Sequence, residues 1–89
     1  MPIIVAGRIL VQPGQRQRFL DASADAMRLA RTTNGCDDFV VAPDPLDPQR
    51  VNIFELWRTR KALEAFRDAG PDDDVTALIE RAQVREYEA

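Results

Sequence analysis

Arg50-Val51-Asn52-Ile53-Phe54-Glu55-Leu56-Trp57 is the stretch whose reading decides the fold. β-Branched and aromatic residues dominate it, and a proline-rich turn (Pro43, Pro45, Pro48) precedes it, so it reads as a β-strand. Successive side chains on a strand point to opposite faces. One face then carries Val51, Ile53, Glu55 and Trp57, and the other carries Asn52, Phe54 and Leu56. Both faces are largely apolar, so neither suits bulk water. A chain of 89 residues can cover only one face of its sheet with its own helices. The economical cover for the other is a second copy of the chain, which predicts a homodimer.

The segments around this strand supply the rest of the sheet. Pro2 to Val11 predicts a first strand, apolar on both faces except at Arg8, with Gly7 marking a bulge or a close approach of another backbone. Gln12-Pro13-Gly14-Gln15 ends it. A helix follows from about Pro13 to about Thr32. Phe19, Ala22, Ala26, Leu29 and Ala30 fall on one stripe, widened by Leu20, Ser23 and Met27, and Asn34-Gly35 is the stop signal. Asp37 to Ala42 predicts a second strand, joined to the third by the stiff loop Pro43 to Pro48.

After Trp57, Thr59 is a fitting N-cap for a second helix running to about Asp68, with Ala62, Leu63 and Phe66 turned inward. Ala69-Gly70-Pro71 breaks it. Asp72-Asp73-Asp74 opens a short third helix whose inward residues are Val75, Leu78 and Ile79. A last strand, about Gln83 to Glu88, carries Val84 and Tyr87. The order β-α-β-β-α-(α)-β is that of an α+β fold, the ferredoxin-like split βαβ with helices on one face of an antiparallel sheet.

Length and composition bound the function. Eighty-nine residues predict one domain, 1–89. A chain this short buries only about 60–65% of its unfolded surface, and oligomerisation is a usual remedy for the resulting modest stability. Net charge is −3 and the twelve Lys and Arg are scattered, so no basic stripe invites nucleic acid. The apolar runs fall far short of the roughly 20 residues of a membrane span. No charged segment followed by a long apolar core opens the chain, so no secretory signal is expected. A single cysteine, Cys36, predicts no intrachain disulfide and fits the cytoplasm.

The chemistry-bearing residues are few. Histidine is absent, which removes imidazole metal ligands, Ser-His-Asp and Cys-His nucleophilic sites, and the commonest base near neutral pH. Cys36 beside Gly35 reads as a small apolar strand-entry residue. The four glycines are isolated, so nucleotide and flavin fingerprints are missing and no cofactor is expected. Asp72-Asp73-Asp74 reads as complement to a helix dipole. Consecutive helical residues diverge by about 100°, so the three cannot converge on one metal ion. Arg8 and Glu55 are charges inside apolar strands and need partners, either each other or groups across a subunit interface. Glu55 could act as a base if burial raises its pKa. Trp57, facing small Ala22, Ala26 and Ala30, either packs the core or walls a pocket for a planar apolar guest, with Phe39 and Tyr87 able to reach the same space.

Several segments, in this order, carry a family resemblance: Val5-Ala6-Gly7-Arg8, Pro13-Gly14, Asn34-Gly35-Cys36, Asp44-Pro45-Leu46-Asp47-Pro48, Val51 to Trp57, and Ala62-Leu63-Glu64-Ala65-Phe66. Together they resemble the antibiotic biosynthesis monooxygenase domain family, also described as quinol monooxygenases, over nearly the whole chain. The resemblance implies a dimeric α+β barrel in which two sheets pack face to face with helices outside. It also implies oxygenation of phenols, quinols or polyketide-like aromatics with O2, without metal or flavin. Such chemistry needs a deprotonated substrate in a dry, preorganised pocket. Trp57 matches the family's tryptophan at the end of the third strand. Asn52 resembles the asparagine of many members but stands five residues before the tryptophan rather than four, which puts it on the opposite face of a regular strand. Family histidine positions hold Phe66 and Asp72 here. Gly7 stands where related haem-degrading enzymes have an asparagine, so haem degradation is not expected.

Two readings follow. The first is a cofactor-independent monooxygenase of phenolic, quinol or polyketide-like aromatic substrates. Its catalytic candidates are Trp57, Asn52, Glu55 and Arg8, and its substrate-binding candidates are Trp57, Phe39, Tyr87 and Ala26. The alternative is a non-catalytic dimeric α+β barrel that binds a small apolar ligand. A subunit-type interaction domain is a third, marked by a sealed cleft beside Trp57.

Overall fold

The structure, a computed structural model, describes residues 1–68 and 73–89, with the backbone alone at 73 and 74. The chain runs β1 (Ile3–Val11), α1 (Arg16–Arg31), β2 (Cys36–Pro43), β3 (Arg50–Trp57), α2 (Arg60–Asp68), α3 (Asp73–Thr76) and β4 (Ile79–Glu88). The strands form one sheet in the order β2-β3-β1-β4, every neighbouring pair antiparallel. This is the ferredoxin-like α+β arrangement that the element order predicts. The expected break at Ala69-Gly70-Pro71 and the first acid of the Asp72–Asp74 run lie outside the described residues.

Register explains why one face of the sheet became the core. Val5 lies opposite Glu55, Ile3 opposite Trp57 and Ile9 opposite Val51, while Phe39 and Val41 on β2 lie opposite Glu55 and Ile53. These side chains share the face on which the helices sit. Ile3, Val5, Ala30, Phe39, Trp57 and Leu63 are buried together, and Val11, Phe19, Val51 and Ile53 form a second buried group. The Trp57 ring is 5.2 Å from Phe66 and 6.4 Å, edge-on, from Phe39, geometries that favour aromatic contact. Leu63 of α2 is fully buried, a burial that contributes roughly 1.5–3 kcal/mol. Thr59 caps α2, its Oγ1 accepting the Ala62 N–H at 3.1 Å.

Strand β2 is one residue longer at each end than the expected Asp37 to Ala42, and two boundaries differ by more. β4 begins at Ile79 rather than near Gln83, because tertiary pairing overrides the helical pattern. Ile79 pairs with Val11, and the Leu78 carbonyl accepts the Gln12 N–H at 2.8 Å. A register slip between Leu10 and Val11 accommodates the early start. Leu78 and Ile79 still turn inward, but Ile79 does so from a strand. Helix α1 starts at Arg16, since Gln12 to Gly14 are used in the turn. Its apolar stripe also divides. Phe19 and Ala30 are buried with Ser23 and Met27 half-buried beside them, whereas Ala22, Ala26 and Leu29 sit on a flank that the sheet does not reach, Leu29 being 57% exposed.

Among the described residues, no helix lies on the opposite sheet face. Ile4, Ala6, Leu10, Val40 and Leu56 are half-buried there, with Phe54 38% and Tyr87 51% exposed. Gly7, placed centrally in β1, lies opposite Val84 of β4. A Cβ at Gly7 would overlap the Gln83 carbonyl oxygen and stand 2.8 Å from Val84 Cα, so the close approach anticipated for this glycine is made by the neighbouring strand. Gly7→Ala is therefore expected to cost about 2–3 kcal/mol, as overpacking does. A urea-unfolding midpoint equal to the parent's would mean that β4 is not seated against β1 at this point.

Candidate functional site

Between α1 and the helix-side face of the sheet lies a cavity of about 530 Å³. Its floor is sheet: Val5, Ile9, Phe39, Val41, Ile53, Glu55 and Val84. Phe19, Ala22, Ser23, Ala26 and Leu29 of α1 wall one side, and Phe66 and Arg67 of α2 with Val75 and Thr76 of α3 wall the other. The alanines explain why it is open. A helix that presents small side chains on the flank nearest α2 leaves space that leucine would fill. Such volume and lining suit a drug-sized apolar ligand.

Glu55 is the one carboxylate on the cavity floor. The pleat places it two residues before Trp57 on the same face, and the Trp57 Nε1–H donates to Glu55 Oε1 at 2.9 Å. Burial pushes the Glu55 carboxyl up from the usual carboxylate range; the Trp57 N–H and the Arg67 guanidinium pull part of the way back, and Glu86 adds a further upward push. The Cys36 thiol is also pushed up, by burial first and by the neighbouring Glu55 charge second. Its weak thiolate character suits a packing role.

Polar groups at the edges hold the walls in place. Glu86 of β4 accepts from Arg60 and Arg67 of α2, each at 2.6 Å, fastening α2 over the sheet. These two guanidinium partners hold the Glu86 carboxyl below its ordinary value. At the other end, Arg16 at the start of α1 donates to the carbonyls of Asp44 and Asp47 at 3.0 and 2.9 Å, tying the proline loop to the helix.

The candidate residues separate by face. Phe39, Ala26 and Glu55 line the cavity. Trp57 is completely buried behind it and touches the site through its bond to Glu55, so its bulk faces Phe39 and Phe66 rather than open space. Arg8, Asn52 and Tyr87 lie on the other side of the sheet, around a separate hollow with Arg50 and Arg85. Arg8 and Glu55 therefore do not pair; the Arg8 Nε–H donates to Gln83 Oε1 at 2.8 Å. Asn52 has both ends of its amide engaged, donating to Asp44 Oδ1 at 3.0 Å and accepting from Arg50 at 2.7 Å. It anchors the proline loop. Asn52 heads the groups that hold the Asp44 carboxyl below its ordinary value. Arg67 and Thr76 line the cavity without having been singled out in the sequence, and Leu29 and Val75, read there as packing residues, line it too. The amphipathic spacing of Phe66 with Leu63 was the one signal that α2 faces this space.

Comparison with known proteins fits this architecture. An uncharacterized protein of Synechocystis is 33% identical over 63 residues, covering 71% of this chain, and the chain spans 43% of that relative's length. A structure from Chloroflexus aurantiacus, named for the antibiotic biosynthesis monooxygenases, superposes with a TM-score of 0.80 at 26% identity, covering 98% of this chain and 91% of that one. A Nitrosomonas europaea structure named for the same group gives 0.87 at 18% identity over 100% and 98% of the two chains. A conserved protein of Methanosarcina mazei gives 0.85 at 16% over 98% and 91%. At such identities the last two likenesses establish a shared fold. The sequence model described as antibiotic biosynthesis monooxygenase matches residues 2–81, nearly the full length, and the chain belongs to that family.

Proposed function

We propose that this protein is a cofactor-independent monooxygenase that receives a planar phenolic, quinol or polyketide-like aromatic in the cavity between α1 and the sheet. The observation that carries the reading is the cavity itself: about 530 Å³, walled mainly by apolar side chains, with a part-buried carboxylate on its floor. Family membership supports this reaction type. A naphthol shows how the electrons balance. O2 delivers one atom to the ring and leaves the other as water, the substrate itself giving the four electrons as it becomes a naphthoquinone. That stoichiometry asks no electron of a flavin or metal. The apolar walls favour it by excluding water from a substrate anion.

The working form in this reading is a homodimer docked through the helix-free face of the sheet. Phe54 and Tyr87 with the half-buried Ile4, Val40 and Leu56 make an apolar surface of the kind that marks protein interfaces. Docking two such faces makes the α+β barrel and leaves the helix-side cavity of each protomer accessible from outside. The free Cys36 thiol fits a reducing compartment, the cytoplasm.

Three measurements test this reading. Oxygen uptake with 1-naphthol or menadiol should appear in air and vanish under nitrogen. Saturable binding without uptake would leave a ligand-binding protein in place of an oxygenase. Ala26→Trp, which puts an indole into the cavity from the exposed flank of α1, should weaken binding at least about tenfold, a loss of about 1.4 kcal/mol. Its far-ultraviolet circular dichroism should match the parent's. Phe54→Asp should raise the dimer dissociation constant at least about thirtyfold, the size of an interface hot spot. Sedimentation showing a parent monomer at micromolar concentration would remove the dimer from the proposal.

A further inference from the structure

We propose that Glu55 is the proton acceptor of the cavity: a hydroxylated aromatic bound there donates its O–H to Glu55 Oε2 and yields the proton to it, while Trp57 is the positioning residue that aims the carboxylate. The proposal rests on the ligand reading above and assigns a role that reading leaves open.

The geometry is specific about which oxygen is available. Oε1 is taken by the Trp57 indole N–H at 2.9 Å. Among the described residues no hydrogen bond engages Oε2, and no buried side-chain oxygen there lacks a partner, so Oε2 is open to the cavity rather than sealed in the core. An indole locked in the core with no exposed surface is a rigid donor. It fixes the carboxylate rotamer, so the free oxygen is preorganised. Among the described residues the other carboxylate at the cavity wall is Asp25 on α1, exposed and paired with Arg28, which leaves Glu55 as the acceptor on the floor.

Charged and titratable groups act on Glu55 from the elements packed around it: Arg67 from α2, Glu86 from β4 and Cys36 from β2, while Asp25 of α1 lines the same cavity. Burial outweighs the pull of the Trp57 N–H and of Arg67, so the carboxyl is held above its ordinary value. That narrows the gap to a phenol and suits a general base. In the step itself the phenolic O–H bond breaks, its electron pair stays on oxygen as phenolate, and a new O–H bond forms at Oε2. The carboxylate becomes a neutral carboxylic acid. The positive charge of Arg67, in the same cavity, compensates the phenolate. No oxidant takes part in this step.

Anaerobic binding of 1-naphthol, titrated against pH by fluorescence, tests the assignment apart from turnover. A charge-assisted hydrogen bond is roughly twice as strong as a neutral one, so parent affinity should fall by about tenfold as acidification protonates Glu55. Glu55→Gln keeps an oxygen for the indole to bond but has no proton to gain. Its affinity should be flat with pH and match the acid limb of the parent. Trp57→Phe removes a donor that holds the Glu55 titration down, so its transition should move to higher pH. In air, Glu55→Gln should also lose at least about a hundredfold in oxygen uptake. Superimposable pH curves for parent and Glu55→Gln would overturn the role of Glu55 while leaving the cavity as the ligand site. Absence of naphthol binding to the parent at every pH would overturn the cavity reading, and this proposal with it.

Discussion

A carboxylate and an indole two residues apart on one strand share a face of the sheet, and here that face is the one beneath the helices. The bond between Glu55 and Trp57 is the interaction on which the rest depends. The indole is fully buried and its N–H needs an acceptor there. The carboxylate is part-buried and needs a donor there. Each satisfies the other. The consequence is a polar group held in an otherwise apolar space, on the floor of the cavity.

The cavity exists because the elements around it are held apart by different means. α1 rests on the sheet through Phe19, Met27 and Ala30, and its alanine flank does not reach α2. α2 is fixed independently, by Leu63 in the core and by the Glu86 fork onto Arg60 and Arg67. Surface ion pairs usually contribute little, about 0–1 kcal/mol each. Their part here is geometric: Arg67 is oriented at the cavity wall by the same contact that docks its helix.

The opposite face of the sheet follows a different logic. Its apolar residues are no less prominent, yet no helix covers them. Polar residues interrupt that face at Arg8, Asn52 and Gln83, and these are spent on one another or on loop anchoring. The pleat thus divides the chain's chemistry-bearing residues into two groups that cannot meet. Arg8, Asn52 and Tyr87 cannot reach a ligand in the helix-side cavity, while Phe39, Ala26 and Glu55 can.

Element order, strand alternation and the α+β class were legible in the sequence because each rests on local periodicity: two for β3, near 3.6 for α2, with Thr59 marking a cap. The inward face of β3 and the amphipathic Leu63–Phe66 spacing were legible for the same reason. Tertiary structure alone decided that Ile79 belongs to β4, since only pairing with Val11 reveals it. It alone placed Trp57 behind the cavity, because alternation specifies a side and not a depth. It alone turned Ala22, Ala26 and Leu29 toward a space rather than a core, because a helix stripe records which residues are apolar and not how far the next helix stands. Sequence determines direction locally; distance between elements is a property of the packed whole.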